Sequence, residues 1–387
     1  MADTTTDNGP AIHITNAQAG ATTFAGSDSR SYNYFKPKGR QASIYEDVTV
    51  DVQPDPERYL LQGWLYAFAD GTQGYDPRWT KMKSSDWHAF RDPNEQWHRN
   101  MYIREANTER QIQQTLAIAR EQNVYASWDK NWLKCMETHV SAAMHPEYGL
   151  GMHVFVPAQR DGTTNMINNT IAINATDKLR LAQDLALYNL ELSERIPNFN
   201  GTAHKQTWKS DPVWQGVREN VERLTATADW AEQLFATNVI YEPLCGELFR
   251  SQFVMQCAAP HGDFVTPVLF GIGEYDYERN LAYTIDFFKL LVDDAEHGEA
   301  NKQVIGQWLA HWMPFSVAGA RQLQPIWSQL QIKVLRFEDA YERAKNRFTT
   351  ILSKLGLELP KESLDIPRSN AVSTASSAQE LGKEVQL

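Results

Sequence analysis

Helical periodicity over most of its length is the feature that most limits what this chain can fold into. Helix-start signals include Asp92-Pro93 and Asp211-Pro212, in which an acidic N-cap precedes a proline at the first helical position. Gly356 follows the last periodic segment as a stop signal. Because strand-like runs are too few to build a sheet, the sequence predicts an all-α fold in which one helical bundle, residues 92–360, follows an N-terminal arm.

One segment of the predicted bundle is apolar on nearly every face. Thr176-Asp177 is a start signal for a helix that continues to Leu192. Leucines stand at positions 179, 181, 185, 187, 190 and 192. A helix that is apolar all round has to be surrounded by other helices, so we expect this segment at the centre of the bundle.

The two ends of the chain lack any periodic pattern. Residues 1–30 and 361–387 are rich in small and polar residues, which predicts flexible tails. Residues 31–91 contain prolines and aromatic residues with little helical period, which predicts an extended arm lying on a surface. Aromatic side chains are efficient interface anchors, so Tyr32, Tyr34 and Phe35 are predicted to contact a partner subunit.

Composition excludes several classes of protein. The chain of 387 residues has 37 Lys+Arg and 48 Asp+Glu, a net charge of −11, which argues against a nucleic-acid partner. Three widely spaced cysteines fit neither a disulfide framework nor a zinc module and favour the reducing cytoplasm. Neither a membrane-spanning run nor a signal peptide is predicted. An aromatic content of 11% is typical of a chain with a large interface.

Two acid/histidine pairs have the spacing of di-iron ligands. In di-iron bundles, Glu-x-x-His motifs on two helices point inward together with glutamates from two others. Glu95 with His98, and Asp294 with His297, have this i, i+3 spacing. Both pairs lie in strongly polar surroundings, which favours a surface position. The alternative that they form the site of a self-sufficient di-iron oxygenase stays open at this stage.

Other catalytic patterns are weaker. His145, Glu147 and His153 are close in sequence, but Pro146 interrupts the helix that would align them as metal ligands. The sequence contains no GxGxxG, GxxxxGK[ST] or GxSxG motif. An unrelated helical binding protein therefore remains a further alternative.

Two Asp-x-x-Arg units carry a family resemblance. They are Asp177 with Arg180 and Asp276 with Arg279, and the second follows the turn Gly262-Asp-Phe-Val-Thr-Pro267. Taken alone, such pairs are usually ion pairs on a helix surface. Together with the turn, they resemble the hydroxylase subunits of bacterial multicomponent di-iron monooxygenases, the group that oxidises methane, propane, phenol and toluene. In the catalytic large subunit of that family the units read Asp-Glu-x-Arg-His, and their Glu and His bind iron.

The resemblance implies that most ligand positions have been lost here. Glu147 matches a retained ligand, and the sixth position falls near Tyr241-Glu242-Pro243 without being assigned to one residue. Iron would then have no imidazole and at most two carboxylates, too few for a di-iron centre. The chain therefore resembles the small (β) hydroxylase subunit, with a ferritin-like fold and a lost metal site. The residues that replace the other four ligands are Lys178, Leu181, Tyr277 and Asn280.

This resemblance implies a non-catalytic small subunit of the hydroxylase component of an NADH-dependent monooxygenase. Within the group the chain is most similar to propane monooxygenases, which implies oxidation of propane to 2-propanol by the complex. A phenol, toluene, cyclic-ether or methane monooxygenase is the alternative, since the substrate pocket would lie in the partner. The implied di-iron centre belongs to the catalytic large subunit, the implied reductase uses NADH, and no cofactor is expected in this chain. The implied assembly has two copies of each subunit, with a homodimer contact, and the regulatory protein and reductase dock on it.

The lost metal site also leads to a structural hypothesis. Carboxylates left in a bundle core without a cation are costly, so the Lys178 ammonium is predicted to pair with Glu147. The Tyr277 hydroxyl or the Asn280 amide would be a further hydrogen-bond partner. The alternative is that Lys178 lies on the outer face of its helix and extends to solvent.

Overall fold

A computed structural model describes residues 37–39, 41–50, 75–359 and 364–365 of the chain. Every regular element in these ranges is helical, so the predicted all-α fold is confirmed. Four short 3₁₀ turns also occur in this part of the chain. The regular α-helices are α1 (Ile44–Val50), α2 (His98–Glu121), α4 (Asn165–Arg195), α5 (Ala203–Ser210), α6 (Pro212–Thr225), α8 (Val265–Val292), α9 (Gly298–Gln329) and α10 (Phe337–Lys354).

Two further helices alternate between α-helical and π-helical geometry. Helix α3 occupies residues 130–161 and contains π-helical segments at Met136–Val140 and Leu150–Phe155. Helix α7 occupies residues 230–257 and contains π-helical segments at Ala236–Gly246 and Leu248–Val254. Such segments are rare and are often found at functional sites. Both helices contribute side chains to the centre of the bundle.

Helices α3, α4, α8 and α7 form the central bundle. In that order each helix packs against the next, and α7 also packs against α3. Helix α9 lies outside this group against α6 and α7, and α2 packs on α8. One continuous set of buried apolar side chains fills the spaces between these helices. The ferritin-like helical bundle is thus confirmed. None of the described helices combines the length and apolar character that a bilayer-spanning segment requires.

The predicted helix ends are partly correct. Asp211 caps α6 by accepting a hydrogen bond from the Val213 amide, and Gly356 follows α10 with a φ of +66°, as both signals predict. The start predicted at Asp92-Pro93 is wrong, because the Asp92 carboxylate instead accepts from the Asn94 and Gln96 amides in a turn. Helix α2 begins after this turn, at His98.

The helix containing Lys178 differs from the prediction in two ways. Thr176-Asp177 is not its start, because α4 begins after the Thr164 cap and continues unbroken for 31 residues. The helix is also not enclosed on all sides, since Leu187 and Leu190 are 52% and 54% exposed. Its first half is therefore the central part, and its second half presents an apolar face to solvent.

The described part of the predicted arm lies along the bundle and also enters its core. Tyr45, Met82 and Phe90 are buried, and Arg91 forms a buried ion pair with Glu46 at 2.8 Å. Helix α1 was not predicted, because its sequence has little amphipathic period and is stabilised by contacts with α4. The division into tails (1–30 and 361–387), arm (31–91) and bundle (92–360) stays a prediction, since residues 1–30, much of the arm and all of the C-terminal tail except residues 364–365 lie outside the described residues.

Candidate functional site

Four charged side chains meet at the centre of the bundle. Glu147 comes from α3, Lys178 from α4, and Glu242 and Arg250 from α7. All four are buried, with at most 5% of each residue exposed. We call these four residues the central ion cluster. Glu147 and Arg250, which lie on different helices, are 103 residues apart in sequence, so only the tertiary fold creates the cluster.

Each cation in the central ion cluster contacts both carboxylates. The Lys178 Nζ lies 2.8 Å from Glu147 Oε2 and also contacts Glu242 Oε1. Arg250 donates from Nη1 to Glu147 Oε1 at 2.8 Å and from Nη2 to Glu242 Oε2 at 2.5 Å. The two carboxylates thus alternate with the two cations, and the four charges sum to zero. Glu274, at the edge of the cluster, accepts a further hydrogen bond from Arg250 Nε.

Lys178 and Glu242 stay ionised despite their burial. Burial disfavours the charged form of Lys178, but the Glu147 and Glu242 carboxylates outweigh it and raise the pKa of the lysine. Burial likewise opposes ionisation of Glu242, and Arg250 and Lys178 nevertheless hold the pKa of that carboxyl below its usual value. Lys178 and Glu242 are therefore both charged at neutral pH.

The predicted Lys178–Glu147 pair is present, whereas its predicted additional partners are wrong. The Tyr277 hydroxyl donates to the Asn238 carbonyl at 3.0 Å. The Asn280 amide donates to Asp177 at 3.1 Å. Both side chains lie on α8 and satisfy other buried polar groups, because the central carboxylates already have two cations each.

Leu181 is buried and fills space against α8. A Cβ placed on Gly273 would lie 2.6 Å from Leu181 Cδ2, closer than side-chain atoms approach each other. The glycine thus allows the bulky leucine to occupy this part of the helix interface. Leu181 and Gly273 thus pack directly against each other between α4 and α8.

Sequence analysis missed three members of this region. Glu242 lies in the stretch where one position had been left unassigned, and the structure places it in the cluster. Arg250 and Glu274 were not considered. Glu242 and Arg250 are eight residues apart, a spacing that does not match the i, i+3 and i, i+4 neighbours of an α-helix. Their shared π-helical surroundings are not visible in the sequence.

The two Asp-x-x-Arg units meet in a second buried ionic group. Arg180 of α4 reaches Asp276 of α8 at 3.4 Å, and Arg279 of α8 reaches Asp177 of α4 at 3.9 Å. Arg104 of α2 also contacts Asp177, at 2.6 Å. The units therefore pair across the helix interface in addition to any pairing within each helix. Burial, and then repulsion from Asp276, raises the pKa of Asp177.

Neither ionic group has the chemistry of a metal centre. In the described residues, one set of three possible ligands has its oxygen atoms within 4.8 Å of one another: Glu105, Asp177 and Asp276. Arginine guanidinium groups already contact all three of these carboxylates. Lysine and arginine offer no lone pair to a metal ion. A di-iron centre, which the family resemblance implies for the catalytic subunit, does not fit the residues present in this chain.

The acid/histidine pairs proposed for a self-sufficient oxygenase are in the wrong place. Glu95 and His98 are both exposed. The Asp294 carboxylate accepts hydrogen bonds from Ser85 and from the His297 amide, and caps a turn there. An inward-pointing di-iron site needs these side chains in the bundle core, so that alternative is contradicted.

The group of His145, Glu147 and His153 also does not form a site. His145 Nε2 lies 2.9 Å from His204 Nδ1, and its ring stacks on Trp208. His153 is exposed, and Glu147 belongs to the central ion cluster. Burial lowers the pKa of His145 to about 4. The predicted interface residues Tyr32, Tyr34 and Phe35 lie outside the described residues.

Comparison with known proteins connects this architecture to one family. Residues 64–295 match the methane/phenol/alkene hydroxylase family. The chain is 51% identical over 353 residues to the propane 2-monooxygenase hydroxylase small subunit of Rhodococcus jostii, covering 91% of this chain and 96% of the relative. It is 26% identical over 315 residues to the methane monooxygenase component A beta chain of Methylosinus trichosporium, covering 78% and 79%.

Solved structures agree with the fold. The xenon-pressurised phenol hydroxylase from Pseudomonas sp. OX1 aligns with a TM-score of 0.72 over 87% of this chain and 98% of the other, at 18% sequence identity. Resting toluene 4-monooxygenase with bound toluene aligns with a TM-score of 0.62 over 77% of this chain. At these identities the similarity concerns the helical architecture alone.

Proposed function

The chain belongs to the methane/phenol/alkene hydroxylase family as a small hydroxylase subunit of a hydrocarbon monooxygenase, and we propose that it binds no metal and acts by supporting a catalytic large subunit. The reaction would take place in that partner. This chain would supply a rigid helical body against which the partner folds and assembles.

The central ion cluster is the observation that supports a non-catalytic role. The side chains of Lys178 and Arg250 supply the positive charge that balances the two buried carboxylates. Each of these carboxylates, Glu147 and Glu242, contacts both cations. Binding of a metal ion would require expulsion of a buried ammonium or guanidinium group. Since an unpaired buried charge is strongly destabilising, the cluster stabilises the metal-free state of the bundle.

We propose propane as the substrate of the complex, with hydroxylation to 2-propanol. Support comes from four propane 2-monooxygenase small subunits that are 49–51% identical to this chain. The beta chains of two methane monooxygenases, the beta subunit of a toluene-4-monooxygenase and an oxygenase component of a phenol 2-monooxygenase are 22–26% identical to it. A complex acting on phenol, toluene, a cyclic ether or methane is therefore the less favoured alternative.

The remaining components are proposed from the same relationship. The di-iron centre would belong to the large subunit, and a reductase would supply electrons from NADH. Two copies of each subunit would form the assembly, with a homodimer contact, and the regulatory and reductase components would dock on it. Tyr32, Tyr34 and Phe35 would anchor the arm on a partner subunit. We propose the cytoplasm as the location, supported by three buried cysteines without disulfides.

Co-expression with a large subunit from the same operon tests this function. The chain expressed alone should contain no stoichiometric iron and should not hydroxylate propane when reductase, NADH and O2 are added. The complex should contain iron and form 2-propanol. Iron is measured by elemental analysis and product by gas chromatography.

Matched variants identify the origin of any iron in the chain. Glu147→Gln and Glu242→Gln remove the only carboxylates of the central ion cluster that a metal ion would need. Stoichiometric iron in the native chain that is lost in both variants would contradict the proposal. Failure of the native chain to associate with the large subunit would also contradict it.

A further inference from the structure

An open groove lies between α2 and the second half of α4. It has a volume of about 200 Å³. Its apolar lining includes Leu187 and Leu190, both more than half exposed, on a helix whose first half is central to the bundle. Single exposed leucines are common on protein surfaces, but apolar residues that are contiguous and rimmed by polar ones often mark an interaction site. The other apolar residues of the lining are Ile112, Leu116, Tyr188 and Leu269.

Helix α2, which forms one wall of this groove, is poorly covered by the rest of the described chain. It has 24 residues, of which four are buried: Met101, Ile112, Leu116 and Ala119. Helices in proteins are stabilised mainly by packing of one face against other elements. A helix of this length with so few buried residues therefore has room for a second packing partner on the groove side.

The rim of the groove carries a negative charge. Four acids line it, whereas Arg120 is its single cation and is already bound by Glu191 at 2.7 and 2.8 Å. Asp184 is buried beside the floor and has Arg180 Nη1 at 3.3 Å. The charges of the lining residues sum to −3. Arg180 and Arg195, which are outside the lining, offset part of this charge through contacts with Asp184 and Glu191. The rim remains acidic and attracts cations through Glu109 and Glu194. Its four acids are Glu109, Asp184, Glu191 and Glu194.

This charge selects the kind of partner. A second copy of the chain placing the same groove against this one would bring two acidic rims together, and like charges across an interface are unfavourable. A segment with apolar side chains flanked by lysine or arginine would bury the leucines and neutralise the rim. The groove therefore fits a basic amphipathic segment of a different chain.

We propose that the groove between α2 and α4 is a docking surface for a basic, apolar segment of the catalytic large subunit. The proposal rests on the proposed function, which supplies that partner. Leu187 and Leu190 insert into the partner, and Glu109 and Glu194 pair with its cations. The second half of α4 thereby becomes buried in the assembly, as its apolar sequence demands.

Two variants at the groove test the proposal in the full chain. Leu187→Asp/Leu190→Asp should weaken binding to the purified large subunit by about tenfold to a hundredfold, because two buried leucines are lost and two acids are added. Glu194→Lys should weaken binding less and should reduce its dependence on salt concentration. Binding is measured by surface plasmon resonance, with the large subunit immobilised, at two ionic strengths.

Two exposed positions elsewhere provide matched controls. Ile332→Asp changes an exposed apolar residue between α9 and α10, and Glu296→Lys changes an exposed acid after α8. Neither should alter binding. Thermal unfolding of the free chain should be the same for native and groove variants, because these side chains contact solvent in it.

The possible results separate the two proposals. Normal binding by the native chain and by both groove variants would overturn the docking surface and leave the small-subunit function standing. Absence of binding by the native chain would overturn both. A lower unfolding temperature of the free leucine variant would indicate that this chain covers its own groove. Loss of self-association by that variant would indicate a second copy. Either of these last results would overturn the choice of partner.

Discussion

Removal of the Lys178 ammonium should be among the most destabilising single changes in the chain. Lys178→Met retains much of the side-chain length but leaves Glu147 and Glu242 with Arg250 as their only shared cation. The central ion cluster then carries one uncompensated negative charge in a position that water does not reach. We expect a loss of about 3–5 kcal/mol in the free energy of unfolding, the usual result of breaking a buried ion pair from one side.

The geometry explains this magnitude. At the 2.8 Å separation of Lys178 Nζ from Glu147 Oε2, the attraction is about 6 kcal/mol for an effective dielectric constant of about 20. The ammonium is also attracted to Glu242. Its desolvation offsets several kcal/mol of the two attractions. The net effect of the mutation is therefore smaller than the sum of the two attractions, and most of it is the cost of the stranded carboxylate.

A double variant separates the loss of the lysine's attraction from the cost of leaving a buried carboxylate without its cation. Lys178→Met/Glu147→Gln restores neutrality, with Arg250 and Glu242 still paired and the glutamine still able to accept from Arg250. It should recover at least half of the loss caused by Lys178→Met alone, which requires strong coupling between the two positions. Lys302→Met, at an exposed lysine that pairs with Glu299, is the matched control and should change the unfolding free energy by less than about 0.5 kcal/mol.

The loss should also depend on pH with a definite sign. In Lys178→Met, excess negative charge raises the pKa of a central carboxyl above that of the unfolded chain. The variant is therefore relatively more stable at low pH, and its deficit against the native chain grows from pH 5 to pH 8. Chemical denaturation at both pH values measures this. Small, additive effects of Lys178→Met and Glu147→Gln, with no dependence on pH, would refute the reasoning.

Two further outcomes follow from packing and from histidine burial. Gly273→Ala should destabilise the chain by about 1–3 kcal/mol, since the new methyl group meets Leu181 at 2.6 Å. In a chain that already carries Leu181→Ala, the added methyl group should cost much less stability. Additive losses of stability in thermal unfolding would contradict the contact between positions 181 and 273. The pKa of His145 is lowered by burial to about 4, so the native chain should lose stability as the pH falls from about 6.5 to 4. His145→Phe should reduce that loss by about 1–2 kcal/mol after allowance for partial exposure; an unchanged slope of unfolding free energy against pH would argue against it.

Local signals in the sequence predicted the fold better than the boundaries of its elements. Asp211-Pro212 and Gly356 act where expected because cap chemistry depends on a few neighbouring residues. Asp92 has the same cap chemistry, yet its carboxylate closes a turn and α2 begins six residues later. Tertiary contacts of the arm, such as the bond from the Asp92 amide to the Tyr45 hydroxyl, decide that outcome.

The part of the site that could be predicted from the sequence is the pairing of a buried carboxylate with a cation. Lys178 and Glu147 were paired because a buried carboxylate needs a cation, and that requirement is independent of detailed geometry. Arg250 was not predicted, since its place opposite both carboxylates depends on π-helical segments of α7 that have no recognised sequence signal. The exposure of Leu187 and Leu190 was equally hidden, because an apolar residue has the same sequence signature whether it faces a core or a partner.

The shared contacts of the central ion cluster limit how this sequence can change over time. Lys178 and Arg250 each contact the same two glutamates, so any single replacement that removes one of the four charges leaves another without its counterpart. Neutral drift at these positions must therefore proceed by paired replacements, or through intermediates with impaired folding. A return to metal binding would require loss of both cations and gain of several ligands. The ionic contacts that hold these four helical side chains together are therefore also a barrier to metal binding at the same place.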